Sequence, residues 1–270
     1  MPDQAKPALA ECARMHTRLL KCTLEVEHSR LYWRQMAEGD GSANARVLAK
    51  RAHAQFWFGA RSRARTSILL TNFRARFDAY PEALRCLSSW TGISPRAQRL
   101  ICHWHLQLSD PLYRRFAGEC LPARFERDSP RITHPLVVQW VGEQDSGRWG
   151  TATRIQFASK LLSSAHSAGL VTSKVDPRPL TWPRVDDRAL TYLLYLLRGI
   201  RIDGDLLNNA YLASVGLDRV MLEPRLKGLP GMSFRRQGDL IDFGWHYPSL
   251  AAWADAQFGC DNAAAAGAEA

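Results

Sequence analysis

The spacing of apolar residues constrains this chain to a mainly helical fold. Leu69, Phe73 and Phe77 recur at intervals of four residues, which places them on one side of an α-helix. Residues 158–165 and 190–197 show the i, i+3, i+4, i+7 spacing of helices that face a core. We therefore predict a mainly α protein with helix-turn-helix or winged-helix units and a short C-terminal β-hairpin.

The segment from Gly41 to Phe77 contains eight basic residues and no Asp or Glu. The whole chain has a formal net charge of +10, so most of the excess lies in this one segment. Solvated surfaces normally mix both signs of charge, and the planar fork of Arg matches phosphate oxygens and guanine edges. The segment is therefore predicted to bind double-stranded DNA through Arg46, Lys50, Arg51, Arg61, Arg63, Arg65, Arg74 and Arg76.

The order of parts in this segment is that of a helix-turn-helix. One helix is expected from Ser42 to about Trp57, after a stop at residues 39–41, and a break follows at Gly59. The next helix begins among the arginines, with Ser62 or Thr66 as its cap. Its positive end and free amides would point at phosphates.

A second unit of this kind is predicted near the C-terminus. Residues 205–215 are followed by a break at Gly216, a helix that opens at Asp218, and a hairpin at residues 232–245 with a turn between its strands. Pro224 predicts a kink in that helix or a later start. This unit supplies a second candidate DNA surface, formed by Arg219, Arg225, Lys227, Arg235 and Arg236.

The prolines at residues 128–135 predict a linker. They divide the chain into a helical domain at 11–128, whose first helices are expected within 11–36, and a winged-helix-like domain at 131–258. The alanine-rich residues 259–270 have no apolar face to bury, which predicts a disordered tail. The chain has no run of 18 apolar residues and no secretory signal, so we expect a cytoplasmic protein without membrane contact.

The sequence contains few candidates for metal-binding or catalytic residues. The six cysteines are widely spaced without a C-x-x-C pair, so most are predicted to be reduced helix residues. His103 and His105 would point apart on a helix, which predicts packing or solvent roles and no metal.

No nucleotide-binding loop, nucleophile elbow or zinc-protease motif occurs in the sequence. A nuclease could be assembled from carboxylates, but caps and turns explain these acids better: Asp203, Asp205, Glu223, Asp239 and Asp242. The prediction is a non-enzymatic protein without catalytic residues or cofactors.

Four segments resemble successive blocks of the BrxA family of BREX bacteriophage-exclusion systems. They are LEVEHSR at 24–30, FGARSRART at 58–66, SDPLYRRF at 109–116, and residues 153–170, which end in AGL. The resemblance covers residues 20–171. It implies a small, mostly helical, non-enzymatic bacterial protein that binds nucleic acid and works beside a DNA methyltransferase and an ATPase in phage defence.

The expected function is therefore DNA binding within a phage-defence complex, with other defence proteins as partners. One alternative is a scaffold whose basic face binds an acidic partner in that complex. Another is an RNA-binding factor, because Phe56, Trp57 and Phe58 could stack on bases, although such residues more often fill a core. The sequence leaves open the preferred DNA site, the oligomeric state and the role in modification or restriction.

Overall fold

A computed structural model describes residues 9–37, 44–144, 147–238 and 240–266, with only the backbone at 219 and 259–266. The chain is mainly helical, as predicted. The helices before the predicted linker are α1 (Arg18–Lys21), α2 (Val26–Ala37), α3 (Ala45–Ala54), α4 (Arg63–Phe73), α5 (Pro81–Ser89), α6 (Pro95–Ser109), α7 (Pro111–Arg115) and α8 (Leu121–Phe125). Those after it are α9 (His134–Gln144), α10 (Thr151–Ala168), α11 (Asp187–Arg198), α12 (Ala210–Ala213), α13 (Arg219–Leu226) and α14 (Leu250–Ala266).

Two helices continue into a π-helical turn, α4 through Arg74–Asp78 and α7 through Phe116–Cys120. The strands form three two-stranded pairs. The first pair is parallel, β1 (Leu9–Ala10) with β4 (Ile200–Arg201), and the other two are antiparallel, β2 (Arg131–Ile132) with β3 (Arg178–Pro179) and β5 (Met232–Gln237) with β6 (Leu240–Trp245). The predicted C-terminal hairpin is therefore confirmed.

The central helix of the fold is α6, which is buried on all sides from Leu100 to Ser109. A helix that is covered all round must be packed within the core, and α6 contacts α2, α7, α10, α11 and the π-helical turn after α4. Ser94 caps its start by accepting a hydrogen bond from the Ala97 amide at 3.1 Å, and Asp110 caps α7 in the same way from the Tyr113 amide at 3.0 Å. Ser or Asp before a Pro in the first turn is a common sequence signal of a helix start.

His103 and His105 take the packing roles expected of them. Both are fully buried on α6. His103 bonds to the Tyr113 hydroxyl at 2.8 Å and the Ser214 hydroxyl at 2.9 Å. His105 bonds to the Tyr192 hydroxyl at 2.7 Å and its other ring nitrogen to the Arg76 carbonyl at 2.9 Å. Each ring therefore has both nitrogens satisfied by groups from other elements.

One continuous core joins the two halves of the chain. Helix α5 packs on α14, α1 on α10 and α6 on α11. The division into 11–128 and 131–258 stays a prediction, but its two parts share that core. The segment between them is not a free linker, because β2 pairs with β3 and the Leu180 amide donates to the Pro130 carbonyl at 2.8 Å.

The chain ends differ from the sequence prediction. Residues 11–17 are not helical, because the Glu11 and Cys12 amides bond to the carbonyls of Arg201 and Leu108 at 3.2 and 2.8 Å. At the other end, α14 extends to Ala266, past residue 259 where a disordered tail was predicted. Alanine has the highest helix propensity, so an alanine run can continue a helix that is already anchored. Residues 267–270 lie outside the described chain, as do the predicted stop at 39–41 and the predicted helix start at Ser42.

Candidate nucleic-acid interface

Helices α3 and α4 carry most of the predicted DNA-binding residues and pack against each other. Asn44 caps α3 by accepting from the Arg46 amide at 3.0 Å, and Ser62 caps α4 from the Arg65 amide at 3.2 Å. Leu69, Phe73 and Phe77 are completely buried, as their spacing predicted. The core thus fixes the inner side of the helix pair and leaves the arginine-rich start of α4 at the surface.

Four cations on this helix pair are exposed and have no ion pair or side-chain hydrogen bond to any described residue. We call them the basic surface: Arg46, Lys50, Arg61 and Arg63. Arg46 and Lys50 are one turn apart on α3, so they share a face. Arg61 and Arg63 flank the cap of α4, where the positive end of the helix dipole adds to their field. Unpaired cations in this arrangement attract an anion from outside the protein.

Three other predicted residues are partly engaged within the protein. The Arg65 guanidinium donates to the Glu25 carboxylate and to the Lys21 carbonyl, both at 2.6 Å. Arg74 pairs with Asp78 at 3.1 Å. The Arg51 guanidinium lies over the Trp57 ring, 5.5 Å from its centroid. Glu25 and Asp78 lie outside the acid-free segment in the sequence, but in the fold they pair with its arginines and neutralise part of its charge.

The Glu25 carboxylate is the centre of this neutralising cluster. A hydrogen bond from His28 at 2.8 Å and the charge of Arg65 hold the pKa of Glu25 below its ordinary value, although burial opposes them. Glu25 therefore stays ionised and holds Arg65 in place. Arg65 acts first as a structural residue here, and it is less available to a phosphate than Arg61 or Arg63.

Arg76 does not lie at the surface where the prediction placed it. Its side chain is buried, and the guanidinium donates to the carbonyls of Leu24 and Cys22 at 3.1 and 2.8 Å. Arg76 follows Leu69 by seven positions and Phe73 by three, the spacing of residues that share the buried face of a helix, so it faces inward beside Phe77. These two hydrogen bonds hold the non-helical segment that precedes α2 in place.

Replacing Arg76 by Met should therefore reduce stability without a direct effect on nucleic-acid binding. Two buried carbonyls lose their donors, at a cost of about 1–3 kcal/mol each. Urea unfolding would measure this loss, with Arg74→Met as the control, since its half-exposed ion pair contributes about 1 kcal/mol or less. A stable Arg76→Met protein with weakened DNA binding would contradict this assignment.

The aromatic run at residues 56–58 divides between core and surface. Trp57 and Phe58 are buried, whereas 63% of the Phe56 side chain is exposed. Phe56 also has a φ of +51°, a left-handed conformation that is uncommon for a bulky residue. No signal in the sequence separates these three neighbours, so the exposed ring beside α3 could not have been predicted.

The second candidate surface also loses part of its charge to internal pairs. Arg225 pairs with Asp187, and Arg236 pairs with Glu223. Lys227 and Arg235 are exposed. The side chain of Arg219 is outside the part of the chain that the structure describes. The predicted start of α13 is confirmed, because the Asp218 carboxylate caps the helix by accepting a hydrogen bond from the Met221 amide at 2.8 Å. Pro224 lies inside this helix.

Apolar side chains are prominent on this second surface. Val220 and Met221 on α13 are 78% and 60% exposed, and Leu240 at the start of β6 is 78% exposed.

The two predicted helix-turn-helix units differ in the length of the segment between their helices. The connection from α12 to α13 is short. Residues 55–62 between α3 and α4 form a longer segment than the turn of about three or four residues in a helix-turn-helix. The C-terminal unit is thus closer to that geometry, and the N-terminal pair has more free charge.

Two of the five carboxylates considered for a nuclease, Asp205 and Glu223, have hydrogen-bond or ion-pair partners nearby. Asp205 accepts from the Leu207 and Asn208 amides at 2.8 and 2.9 Å, Glu223 pairs with Arg236, and Asp242 lies opposite Arg235 in the hairpin. Asp239 is outside the described residues. Within the described ranges, no three His, Cys, Asp or Glu side chains are placed to hold a metal ion, and no helix is long and apolar enough to cross a membrane.

Comparison with known proteins identifies a shared fold. No protein-family model matches the sequence, and no curated protein matches it. Among solved structures, the chain is similar to an uncharacterized protein from Magnetospirillum magneticum, with a TM-score of 0.53 and 18% sequence identity. The similarity covers 69% of this chain and 97% of that one. At this identity the likeness shows the fold alone.

Proposed function

We propose that this protein is a non-enzymatic double-stranded DNA-binding component of a bacterial phage-defence complex of the BREX type. The observation that supports DNA binding is the basic surface, whose four cations are exposed and unpaired within the described chain. Lys and Arg contacts to phosphates supply most of the sequence-independent affinity for DNA. The capped start of α4 adds backbone amides and a positive dipole end to the same region.

The assignment to a BREX complex rests on the resemblance of residues 20–171 to the BrxA family. Under this proposal the chain provides DNA affinity, and its partner proteins carry out modification or restriction. Recovery of the tagged chain together with the methyltransferase and ATPase subunits, from cells that express the complete system, would test the partnership separately from DNA binding.

The salt dependence of binding tests the electrostatic basis of the proposal. If the basic surface contacts about four phosphates, log K should fall against log[salt] with a slope of about −4 for duplex DNA. Fluorescence anisotropy with a labelled duplex over a series of salt concentrations would measure that slope. A slope near zero would mean that the basic surface does not face DNA.

An RNA- or single-strand-binding role is the second candidate, and the exposed Phe56 ring favours it. Aromatic rings stack on unpaired bases with little sequence preference. Competition of duplex DNA, single-stranded DNA and structured RNA against one labelled duplex separates the candidates. Stronger competition by the single strand or the RNA than by the duplex would replace the proposal, and binding to none of the three would favour the scaffold for an acidic protein.

A further inference from the structure

Phe56 lies in the segment that joins α3 to α4. It follows the end of α3 by two residues, and Lys50 lies four residues before that end, about 6 Å along the helix axis. The Gly59 amide donates to the Phe56 carbonyl at 2.9 Å and the Arg61 amide to the Gly59 carbonyl at 2.7 Å. These two tight turns keep Arg61 close to Phe56. The ring therefore lies between the exposed cations of α3 and those at the start of α4.

The backbone of Phe56 is fixed, although its ring is exposed. The Phe56 amide donates to the His53 carbonyl at 3.2 Å, and its carbonyl accepts from Gly59. The next residue, Trp57, is buried, and its amide donates to the Ala52 carbonyl at 3.0 Å. The buried neighbour anchors the turn, so the exposed ring projects from a rigid base.

The conformation of Phe56 is costly for a residue of its kind. Its φ of +51° lies in the left-handed region, which Gly and Asn adopt more readily than a bulky side chain. Burial does not compensate, because 63% of the side chain is exposed. Glu25 has the same φ, but its carboxylate binds Arg65 and His28 inside the protein. Strained residues are frequent at functional sites, and a strained, exposed ring indicates a contact from outside the protein.

The ring stands alone rather than within an apolar patch. The exposed residues beside it in the chain are small or polar: Ala54, Gln55, Gly59 and Ala60. A contiguous exposed apolar patch is what marks a site for another protein, and this turn does not form one. A single flat ring beside cations fits a nucleobase instead, because the ring can stack on the base while the cations bind phosphates on either side.

The kind of DNA follows from what a base must expose. In a perfect duplex each base is covered by its neighbours, so insertion of a ring requires a base step to unstack. That cost is smallest for a base that is already unpaired. We propose that Phe56 stacks on an unpaired base and thereby directs the basic surface to duplex DNA that contains one. The inference rests on the proposed function, since the cations hold the duplex on either side of that base.

Fluorescence anisotropy with two labelled probes tests the proposal. One probe is a perfect duplex, and the other is the same duplex with one extra, unpaired thymine. Stacking on one base changes affinity by about five- to a hundredfold, so the wild type should bind the second probe at least about fivefold more tightly. Equal affinity for the two probes would overturn the role of Phe56 alone. Binding to neither probe would overturn the proposed function together with this inference.

Three variants assign the preference to the ring. Phe56→Gly removes the ring and suits the left-handed backbone, so it should melt no lower than the wild type and bind both probes equally. Phe56→Trp keeps a stacking surface and should keep the preference. Val47→Ala is the control, because Val47 is another apolar residue on α3 and is 60% exposed. A preference that survives in Phe56→Gly, or that is lost equally in Val47→Ala, would overturn the proposal.

Photocrosslinking locates the base independently of affinity. Replacing the unpaired thymine by 5-iodouracil places a photoreactive group on the base that should stack on the ring. After irradiation of the wild-type complex and digestion, mass spectrometry should find the crosslink on Phe56. If Phe56 carries none of the crosslink, the unpaired base lies elsewhere and the proposal is wrong.

Discussion

Lowering the pH from 7 to 5 is expected to reduce the free energy of unfolding by about 2 kcal/mol for each of His103 and His105. Burial lowers the pKa of His103 to about 3 and that of His105 to about 4. The unfolded chain, with histidines near 6.5, binds protons over this interval and the folded chain does not. The stability that these two residues contribute is therefore complete above pH 6.5 and is lost as the pH falls.

Urea unfolding followed by circular dichroism at pH 7, 6 and 5 would measure this change. His16 acts in the opposite direction because its pKa is raised, so the two buried histidines must outweigh it. A variant with His103→Gln and His105→Gln should be less stable at pH 7 but should show a much flatter profile from pH 7 to 5. An equally steep profile in that variant would mean that other groups cause the acid sensitivity.

Local signals in the sequence predicted much of the fold. Apolar spacing located the buried stripe at Leu69, Phe73 and Phe77, and the helix starts at Ser62 and Asp218 were recognised because Ser and Asp satisfy free amides there. Gly169 ends α10 in the left-handed conformation, with a φ of +83°, as glycine commonly does after a helix. These features depend on residues within a few positions of one another, which a single sequence displays directly.

Features that depend on distant residues could not be predicted in the same way. Glu25 neutralises Arg65, although 40 positions separate them, and the acid-free segment gives no sign of it. The buried guanidinium of Arg76 is satisfied by the carbonyls of Leu24 and Cys22, which lie 52 and 54 positions away in the sequence. Glu11 and Cys12 are not helical because their amides bond to the carbonyls of Arg201 and Leu108, far along the chain. In each case tertiary contacts overrode the local pattern.

The second large effect is expected when the basic surface is neutralised. Replacing Arg46, Lys50, Arg61 and Arg63 together by Ala removes four exposed side chains and no internal contact within the described chain, so the melting temperature should change little. Affinity for DNA should fall just under tenfold for each lost phosphate contact at about 0.1 M salt, a combined loss on the order of 10³–10⁴ for four contacts. Arg65 is kept in this variant because it holds Glu25.

Two control variants accompany it. The first replaces exposed cations outside the acid-free segment, so that the loss of net charge is the same: Arg99, Arg115, Arg148 and Lys174. The second replaces Lys227 and Arg235, two exposed cations of the C-terminal unit, and keeps Arg236 in its pair with Glu223. Any general effect of charge on DNA attraction should appear equally in the first control.

Fluorescence anisotropy of one labelled duplex at a single salt concentration, on proteins that melt like the wild type, tests the proposed role of the basic surface most directly. The variant at Arg46, Lys50, Arg61 and Arg63 should lose at least about a hundredfold in affinity, whereas each control should lose less than about tenfold. If the variant at Lys227 and Arg235 loses more affinity than the basic-surface variant, α13 and the hairpin bind the DNA. That result would contradict the assignment of the interface to α3 and α4.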